Sequence, residues 1–474
     1  MTRRSPQPPR TTQRRVLFVA PSAYRLSGVA TWLDHLLPGL TDRGFEVTLG
    51  LAEGPRHHRP EAYLAAHPFD RTIAIGCASG TATGRVRAVR DAIAKTEPDL
   101  VVNANIPDSL VAVAEEQAAG RTVRGIQTCH GIQPDLFDDL TALRPVADAV
   151  ICTNRLACDL ATELSGWPPE RVGHAWYGTV AAGPAPPRED DASFTIAYAG
   201  RIEEDQKRTR DLIPIAERLA AAWPDRPWRM LVAGDGPDRE ALERGVAEAG
   251  LAGVVQFLGH VSGEELPERL WHRADALIMP SQWETGPIVI WEAMAHGVPV
   301  VTSQYVGSGQ EGVLLDGQSC LMFAIGDAET AASRLATLRD DPPLRTQLRE
   351  SGRALVAGRS SVAASCDRWV ETLDRLGALP ILPKRPPQRA ARGTLDRVLG
   401  LRAAETVRRG LRRTPEATGP GDEWPHRLAG YESDAAPIDP DRFWHVAADR
   451  DRRDRNESLR PLLSAPLSPC GPSC

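Results

Sequence analysis

Short β-rich runs alternate with helical stretches along this chain, and the alternation occurs twice. The first series covers residues 16–153, and the second covers residues 195–323. A proline- and acid-rich patch at residues 181–191 separates them and is typical of a linker. Strands that alternate with helices form parallel sheets with helices on both faces. The sequence therefore predicts an α/β protein with two Rossmann-like domains that face each other across a cleft.

The predicted strands share compact apolar runs bounded by turn residues. They are 16–20, 47–52, 100–103, 123–128 and 149–153 in the first half, and 195–199, 229–233, 254–258, 276–279, 300–302 and 319–323 in the second. Helical patterns such as 31–43 and 85–96 separate them. The predicted domain boundaries are 15–182 and 192–378, with a flexible tail at 1–14 and an extension at 380–474.

Composition excludes several classes of protein. A net charge of −6 over 474 residues argues against a general nucleic-acid binder. The eight cysteines are scattered and no Cys-x-x-Cys occurs, so we expect buried free thiols and not disulfides. The first fifteen residues are basic and lack an apolar stretch, unlike a signal peptide. No run approaches the ~20 apolar residues of a membrane span, so we expect a cytoplasmic protein.

Two glutamates in the second half carry the clearest chemical signal. Glu284 and Glu292 have seven residues between them, in a stretch that reads as strand, loop, helix and strand. Pro287 suits the first helical position, and Gly297 suits the residue just past the helix end. The pair therefore lies where a strand ends and a helix begins, which is where open α/β sheets bind ligands. Helix N–H groups suit a phosphate and carboxylates suit sugar hydroxyls, which together indicate a nucleotide-sugar pocket.

This segment resembles the Glu-x7-Glu signature of retaining GT-B glycosyltransferases of family 4 (group 1), including its Glu-Ala-Met-Ala-x-Gly-x-Pro-Val-Val continuation. The resemblance covers about residues 14–378. It implies that the second domain binds a nucleoside diphosphate sugar, with Glu292 on the ribose and Glu284 on the transferred sugar. Gly286, Pro287 and Ile288, at the start of the helix, belong to the implied donor site. In this fold the last helix crosses back to the first domain, and residues 364–376 are the candidate.

A basic pair follows the first strand of the second half. Arg201 and Lys207 are a natural clamp for a diphosphate, and they can stabilise charge on a leaving group. The segment resembles the family's Gly-Arg-x-x-x-Lys-Gly motif, with one residue more and Arg208 in place of the glycine. The alternative is a surface pair on a charged loop.

Three further positions match the family. Gly234 and Gly236 resemble its Gly-x-Gly-Pro turn beside the nucleotide base, although a purely structural turn is the alternative. Gly28, after Leu26 and Ser27, resembles the glycine loop that approaches the donor phosphate. His130 matches a histidine near the reacting sugar, where a neutral imidazole can hydrogen-bond a hydroxyl.

The sequence thus predicts a retaining, metal-independent hexosyltransferase with Glu284, His130, Arg201 and Lys207 in the catalytic site. We expect no metal and no cofactor, since Asp-x-Asp triplets occur only at 439–441 and 449–451, away from any strand. The acceptor class stays open among glycans, lipid-linked molecules and small molecules. A GT-B sugar-nucleotide epimerase and a nucleotide-sugar-binding protein without turnover are the alternatives.

The extension differs in character from the two domains. Residues 384–413 contain ten Lys or Arg and two Asp or Glu, and the chain from 414 onward has few aliphatic residues. We expect such a segment to bury little core and to be disordered. Two interpretations of 384–413 stay open, a basic helix that contacts an anionic membrane surface and a solvated basic linker. In the first, an uneven apolar face would lie among the arginines (Leu395, Val398, Leu399, Leu401, Val407 and Leu411).

Overall fold

The structure is a computed structural model. It describes residues 14–24, 28–77, 79–180, 182–183, 193–309, 312–384, 394–411, 419–428, 431 and 436–464.

The first domain is built on a parallel sheet with the strand order β3-β2-β1-β4-β5-β6-β7. Its strands are β1 (Arg15–Pro21), β2 (Glu46–Glu53), β3 (Thr72–Gly76), β4 (Leu100–Asn103), β5 (Arg124–Cys129), β6 (Ala149–Cys152) and β7 (Val172–His174). The helices between them are α1 (Gly28–Asp42), α2 (Pro60–Leu64), α3 (Ala82–Thr96), α4 (Asp108–Ala118), α5 (Pro134–Leu143) and α6 (Arg155–Glu163). The strand order reverses between β1 and β4, so a ligand crevice is expected at their carboxyl ends.

The second domain repeats this plan with the order β10-β9-β8-β11-β12-β13. Its strands are β8 (Phe194–Ala199), β9 (Trp228–Ala233), β10 (Val255–Gly259), β11 (Ala276–Met279), β12 (Val300–Ser303) and β13 (Leu321–Phe323). The helices are α7 (Leu212–Ala222), α8 (Arg239–Glu248), α9 (Ile288–Ala295), α10 (Ala328–Asp340), α11 (Pro342–Leu355) and α12 (Val362–Gly377). Its switch point lies between β8 and β11.

The predicted alternation of strands and helices is confirmed in both halves. The predicted list lacks two strands, β3 and β7. β3 is a largely exposed edge strand, and β7 has three residues with a central glycine. Neither carries the compact apolar run on which the prediction depends, because neither is buried on both faces.

The helix after Glu284 begins one residue later than predicted. Pro287 is the residue that precedes α9, with an extended ψ of 108°, and Ile288 is the first helical residue. The fixed φ of proline suits an extended residue as well as a helical one, and here Pro287 has φ of −67° and takes the extended ψ. Gly297, with φ of +72°, follows the helix end as predicted.

The crossing helix is also confirmed. α12 contains the predicted 364–376 and packs on α1 of the first domain. Trp369, Leu373 and Leu376 are buried in the core of that domain. Ser361 caps the helix, because its hydroxyl accepts a hydrogen bond from the Ala364 N–H. The return of the chain to the first domain fixes where the extension begins.

For the described part of the extension, the expectation of disorder is wrong. It forms α13 (Thr394–Leu411), which is kinked at Gly400, the short α14 (Pro420–Glu423) and α15 (Pro440–Ser464). Trp424 and Phe443 are fully buried against the first domain. Few aliphatic residues are needed, because these aromatic side chains dock into an existing core and need not build one.

The long helix α15 joins the two domains. It packs on α5 and α6 of the first domain. Its Trp444 lies 5.8 Å, ring to ring, from Trp283 beside Glu284. Buried Asp451 accepts a hydrogen bond from the Gly309 N–H of the second domain at 2.8 Å. The extension therefore contacts both sides of the interdomain region.

Candidate active site

A cleft of about 630 Å³ opens at the carboxyl ends of β8, β9 and β10. Its polar lining consists of Arg201, Asp235, His260 and Glu292, together with the backbone of both glycine turns. Strand ends and the amino end of α9 converge there, as the sheet topology requires. The structure thus brings Arg201, Gly234 and Glu292 together as predicted.

Packing alone explains the glycines of this cleft. A Cβ atom at Gly234 would lie 1.9 Å from the Gly200 carbonyl oxygen, and one at Gly236 would lie 2.2 Å from the Ile202 carbonyl oxygen. Gly234 also has a φ of +147°, which side chains rarely adopt. The turn after β9 therefore packs tightly on the loop after β8, whether or not a nucleotide is bound.

Glu292 is the exceptional charge in the cleft. Its carboxylate pairs with no residue in the described part of the chain, and desolvation raises its pKa to about 7. A carboxylate that is partly buried without a partner is held at a cost in stability. Such a group is available to accept hydrogen bonds from the hydroxyls of a ligand.

Glu284 lies in the loop after β11 and is 4% exposed. Its Oε1 atom is 2.6 Å from the ammonium of Lys207 and accepts a hydrogen bond from Ser281 at 2.7 Å. The two catalytic predictions thus meet in one buried ion pair. Lys207 has three N–H donors, so the pair leaves donors for a second anion.

Gln206 connects this ion pair to the cleft. Its side chain accepts a hydrogen bond from Arg201 at 3.1 Å and donates one to Glu284 Oε2 at 3.2 Å. Arg201 also binds Glu203 and is 56% exposed. Sequence reasoning missed Gln206, although it lies directly before Lys207 in the predicted clamp.

The longer basic loop has a local conformational consequence. Arg208 stands where the family motif has glycine, and its φ is +48°, in the left-handed region. Its guanidinium pairs with Asp211 at 2.8 Å. Residue 208 therefore keeps the left-handed backbone conformation that is typical of glycine, although it carries an arginine side chain.

His130 lies at the end of β5 with both ring nitrogens occupied. Its Nε2 atom is 2.8 Å from Thr128 Oγ1, which itself donates to the Asn103 carbonyl. Nε2 must therefore carry the proton, and Nδ1 accepts from the Tyr177 hydroxyl at 2.6 Å. Burial lowers the pKa of His130 to about 4, so the ring is neutral at pH 7. A sugar hydroxyl would have to displace Tyr177 or Thr128.

The backbone around His130 faces the second domain. Thr285, beside Glu284, donates to the His130 carbonyl oxygen at 3.0 Å. Gly286, with φ of +99°, approaches Tyr177 and Thr153 of the first domain. No short sequence motif signals Tyr177 or Thr285, because each acts on a residue far away in the chain.

The described residues bear only in part on two remaining predictions, the Gly28 loop and the absence of a metal. Gly28 is exposed at the start of α1, and Leu26 and Ser27 lie outside the described residues. Within the described ranges there is no group of three or more His, Cys, Asp or Glu side chains that could hold a metal ion. Metal independence stays a prediction.

Two family models match the chain in succession. Glycosyltransferase Family 4 matches residues 26–175, and Glycosyl transferases group 1 matches residues 184–355. The chain belongs to the group 1 glycosyltransferases. The second match includes every predicted donor-site residue except Gly28, and the first includes Gly28 and His130.

Relatives of this glycosyltransferase include proteins of polysaccharide synthesis. It is 29% identical over 230 residues to the lipopolysaccharide core biosynthesis glycosyltransferase LpsE of Rhizobium meliloti, with 48% of this chain and 64% of that protein covered. It is 31% identical over 210 residues to the exopolysaccharide phosphotransferase SCO2592 of Streptomyces coelicolor, with 44% and 21% covered. The chain thus spans less than two thirds of the length of either relative.

The fold matches solved structures over their whole length. Anabaena Alr3699/HepE in complex with UDP and glucose aligns with a TM-score of 0.61 at 19% identity, covering 76% of this chain and 100% of that one. Sequence identity this low supports the shared GT-B fold and nothing more specific. The aligned share leaves about a quarter of this chain outside the match.

Proposed function

We propose that this glycosyltransferase moves a sugar from a nucleoside diphosphate sugar to an acceptor hydroxyl with retention of anomeric configuration. The observation that carries the proposal is the connected set Arg201, Gln206, Glu284 and Lys207 beside the cleft that holds Glu292. It combines two cations for a diphosphate with two carboxylates for sugar hydroxyls. HepE, of the same fold, was crystallised with UDP and glucose, so UDP is the first nucleotide to try.

In this proposal each residue has a separate role. Glu292 accepts hydrogen bonds from the ribose, Arg201 and Lys207 bind the diphosphate, and Glu284 holds a hydroxyl of the transferred sugar. The amino end of α9, at Gly286, Pro287 and Ile288, adds its partial positive charge beside the phosphate. Gly28 approaches the same phosphate from the first domain.

The chemical step follows from the same arrangement. The bond between the anomeric carbon and the leaving phosphate oxygen breaks, and the acceptor oxygen bonds to that carbon on the same face. The departing phosphate takes the acceptor proton. Lys207 stabilises the growing phosphate charge, an effect that counts only if it is stronger in the transition state. Glu284 is held by Lys207 and Ser281 and does not serve as a nucleophile in this scheme.

The test is a thermal-shift screen of UDP, GDP, ADP and CDP, followed by assays with the matching nucleotide sugars. A nucleotide at ~100 times its dissociation constant should stabilise the chain by about 2.7 kcal/mol. Release of free nucleoside diphosphate and an unchanged anomeric configuration by NMR are the expected results. Binding without release would favour a non-catalytic binding protein, and an epimerised nucleotide sugar would favour an epimerase. The absence of any shift would refute the proposal.

We also propose that α13 rests on an anionic membrane surface. Val398, Leu399 and Leu411 are exposed by 73%, 45% and 63%. Exposed Arg397 and Arg402 lie on the same kinked helix and would contact lipid headgroups. None of the described helices has the length and apolar character to cross a bilayer.

Part of the basic stretch has a different role. Lys384 is buried and pairs with Asp148 at 2.9 Å, and Arg408 pairs with Asp396 at 2.6 Å. Residues 385–393 and 412–413 lie outside the described residues. The choice between a membrane contact and a solvated linker therefore depends on whether α13 binds lipid.

The membrane test uses co-sedimentation with vesicles that contain anionic lipid, at low salt. The double change Val398→Asp and Leu399→Asp should release the protein into the supernatant. Leu382→Asp, at an exposed leucine before α13, is the matched control and should leave binding unchanged. If the unmodified protein stays in the supernatant, α13 is a solvated segment.

A further inference from the structure

A second cavity, of about 360 Å³, lies in the first domain. It is lined by Ala20 and Pro21 at the end of β1, by Asn105 after β4, and by the first turns of α1 and α5. This is the switch point of the first sheet, where ligands bind in open α/β folds. The donor cleft lies in the other sheet, so this cavity is a separate site.

The extension supplies one wall of this cavity, through His426 and Arg427. Two buried anchors fix the segment Gly419–Leu428 in place. The Glu423 carboxylate accepts hydrogen bonds from the backbone N–H groups of residues 56–58, each at 2.9 Å. The buried Trp424 indole donates to the Glu53 carbonyl at 3.0 Å. These two contacts hold the nearby side chains of His426 and Arg427 in a defined position.

His426 presents an unsatisfied hydrogen-bond acceptor. Its Nδ1 atom is 3.0 Å from the Asn105 carbonyl oxygen, which can only accept, so Nδ1 carries the proton. Burial lowers the pKa of His426, which keeps the ring neutral. Nε2 is then an acceptor, and it is buried without a hydrogen-bond partner among the described residues. A ligand that donates a hydrogen bond to Nε2 would remove this cost.

A second residue with a buried polar atom that lacks a hydrogen-bond partner among the described residues lines the same cavity. Tyr63 is 1% exposed, and its hydroxyl has no partner within the described ranges. Asp135 and Asp139 add two carboxylates, both facing the single guanidinium of Arg427. Desolvation and neighbouring Asp138 raise the pKa of Asp139 to about 7. The lining is therefore rich in acceptors and carries no excess of positive charge.

We infer that the extension completes the acceptor site, and that His426 and Arg427 select an uncharged acceptor with several hydroxyl groups, such as a sugar or a cyclitol. Hydroxyl hydrogens satisfy His426 Nε2 and the carboxylates, and the Tyr63 hydroxyl pairs with a further hydroxyl. A phosphorylated acceptor would meet two carboxylates and is disfavoured. Tyr24, whose ring lies 5.0 Å from that of His426, offers an apolar face beside the site. The inference rests on the glycosyl transfer proposed above.

The experiment measures nucleoside diphosphate release from the nucleotide sugar found in the screen, using the full chain. The acceptor probes are glucose, galactose, mannose and myo-inositol, with glucose 6-phosphate as the anionic probe and glucosamine as the cationic probe. At least one uncharged probe should raise release above the acceptor-free rate, and glucose 6-phosphate should be the poorest.

Two variants test the residues. His426→Phe keeps a ring beside Tyr24 and should raise the KM for the best uncharged probe by about tenfold, the worth of one buried hydrogen bond. Arg427→Ala leaves both carboxylates uncompensated and should raise the preference for glucosamine over glucose at least about fivefold by the same scale. The side chain of Arg427 is 55% exposed, so Arg427→Ala keeps the test sound if His426→Phe folds poorly.

Arg450→Ala is the matched control, because Arg450 also pairs with an acidic residue of the first domain, Glu163, but does not line the cavity. All three variants should keep nucleotide affinity and acceptor-free release. If Arg427→Ala and His426→Phe show the acceptor profile of Arg450→Ala, the inference is overturned. It is also overturned if no uncharged probe raises release, or if glucose 6-phosphate is the best. If the unmodified chain does not bind the nucleotide, or releases no nucleoside diphosphate without an acceptor, the proposed function itself is refuted.

Discussion

The two cavities of this glycosyltransferase both lie at the carboxyl ends of the strands of their sheets but are assembled differently. Every residue that lines the cleft proposed to bind the donor comes from one stretch of the second domain, residues 199–292. The cavity proposed to bind the acceptor combines residues 20–139 with His426 and Arg427, almost three hundred residues further along the chain. The cleft of the second domain therefore depends on local strand-to-helix turns within the second family match. The cavity of the first domain also depends on a segment that lies beyond both family matches.

The family matches end at residue 355, so the extension lies outside both of them. The extension is also structural, since α15 contacts Trp283 and Gly309 beside the loop of Glu284. The two cavities are thus separate in sequence, but the extension contacts the surroundings of both.

The largest expected effect concerns the docking of the extension. Phe443→Ala removes a fully buried ring from the core between α5 and α15, and should lower the free energy of unfolding by about 3–5 kcal/mol. Urea denaturation measures it. His445→Ala, at an exposed position of the same helix, should change stability by less than about 0.5 kcal/mol. Equal stabilities would show that the extension is not part of the folded unit.

The next largest effect is expected at Glu284. Glu284→Gln should lower kcat by about 10²–10³-fold, as for loss of a preorganised polar group in an active site. Its effect on UDP affinity should be small, because Glu284 is assigned to the sugar. Steady-state kinetics and calorimetric titration separate the two quantities. Matching losses of kcat and of nucleotide affinity would contradict the assignment.

Glu292 should show the opposite pattern. Glu292→Ala removes a charged acceptor from the ribose and should weaken nucleotide binding by about 1.5–3 kcal/mol, the usual range for such bonds. Acceptor selectivity should stay unchanged, because Glu292 lines only the donor cleft. A change in acceptor preference would show that the two cavities are coupled.

The raised pKa of Glu292 predicts a pH effect on the nucleotide-free protein. The folded state binds this proton up to about pH 7, whereas the unfolded state releases it near 4.5. Stability from this group should therefore fall as pH rises from 4.5 to 7, by on the order of 1–3 kcal/mol. Denaturation of Glu292→Gln and the unmodified chain across this range measures it. Parallel curves would argue against an uncompensated carboxylate.

The smallest effect is expected at Arg208. Arg208→Gly relieves a left-handed arginine but loses the pair with Asp211, so stability should change by less than about 1 kcal/mol. Arg210→Gly, at a neighbouring position without positive φ, is the control and should be destabilising by about 1 kcal/mol. If Arg208→Gly costs as much as Arg210→Gly, the left-handed conformation is not a strain.

The sequence alone determined the fold of this protein and the places of several residues at the strand ends of the second domain. Apolar runs of three to six residues mark buried parallel strands, and glycine and proline mark the turns between them, because these preferences act over a few residues. The positions of Arg201, Lys207, Glu284 and Glu292 follow directly, since each lies within a few residues of a predicted strand end. Their roles toward a ligand stay predictions.

Only the tertiary structure decided the rest. The occupied ring nitrogens of His130 depend on Tyr177, 47 residues away. The packing of Trp424 and Phe443 depends on a surface that exists only after the first domain has folded. The extension looks too polar to fold when its own apolar residues are counted, and its described segments fold against the first domain because their aromatic residues complete another core. Contacts between distant segments leave no periodic pattern in sequence, so His426 and Arg427 could be placed beside Asn105 and Asp135 only by the folded chain.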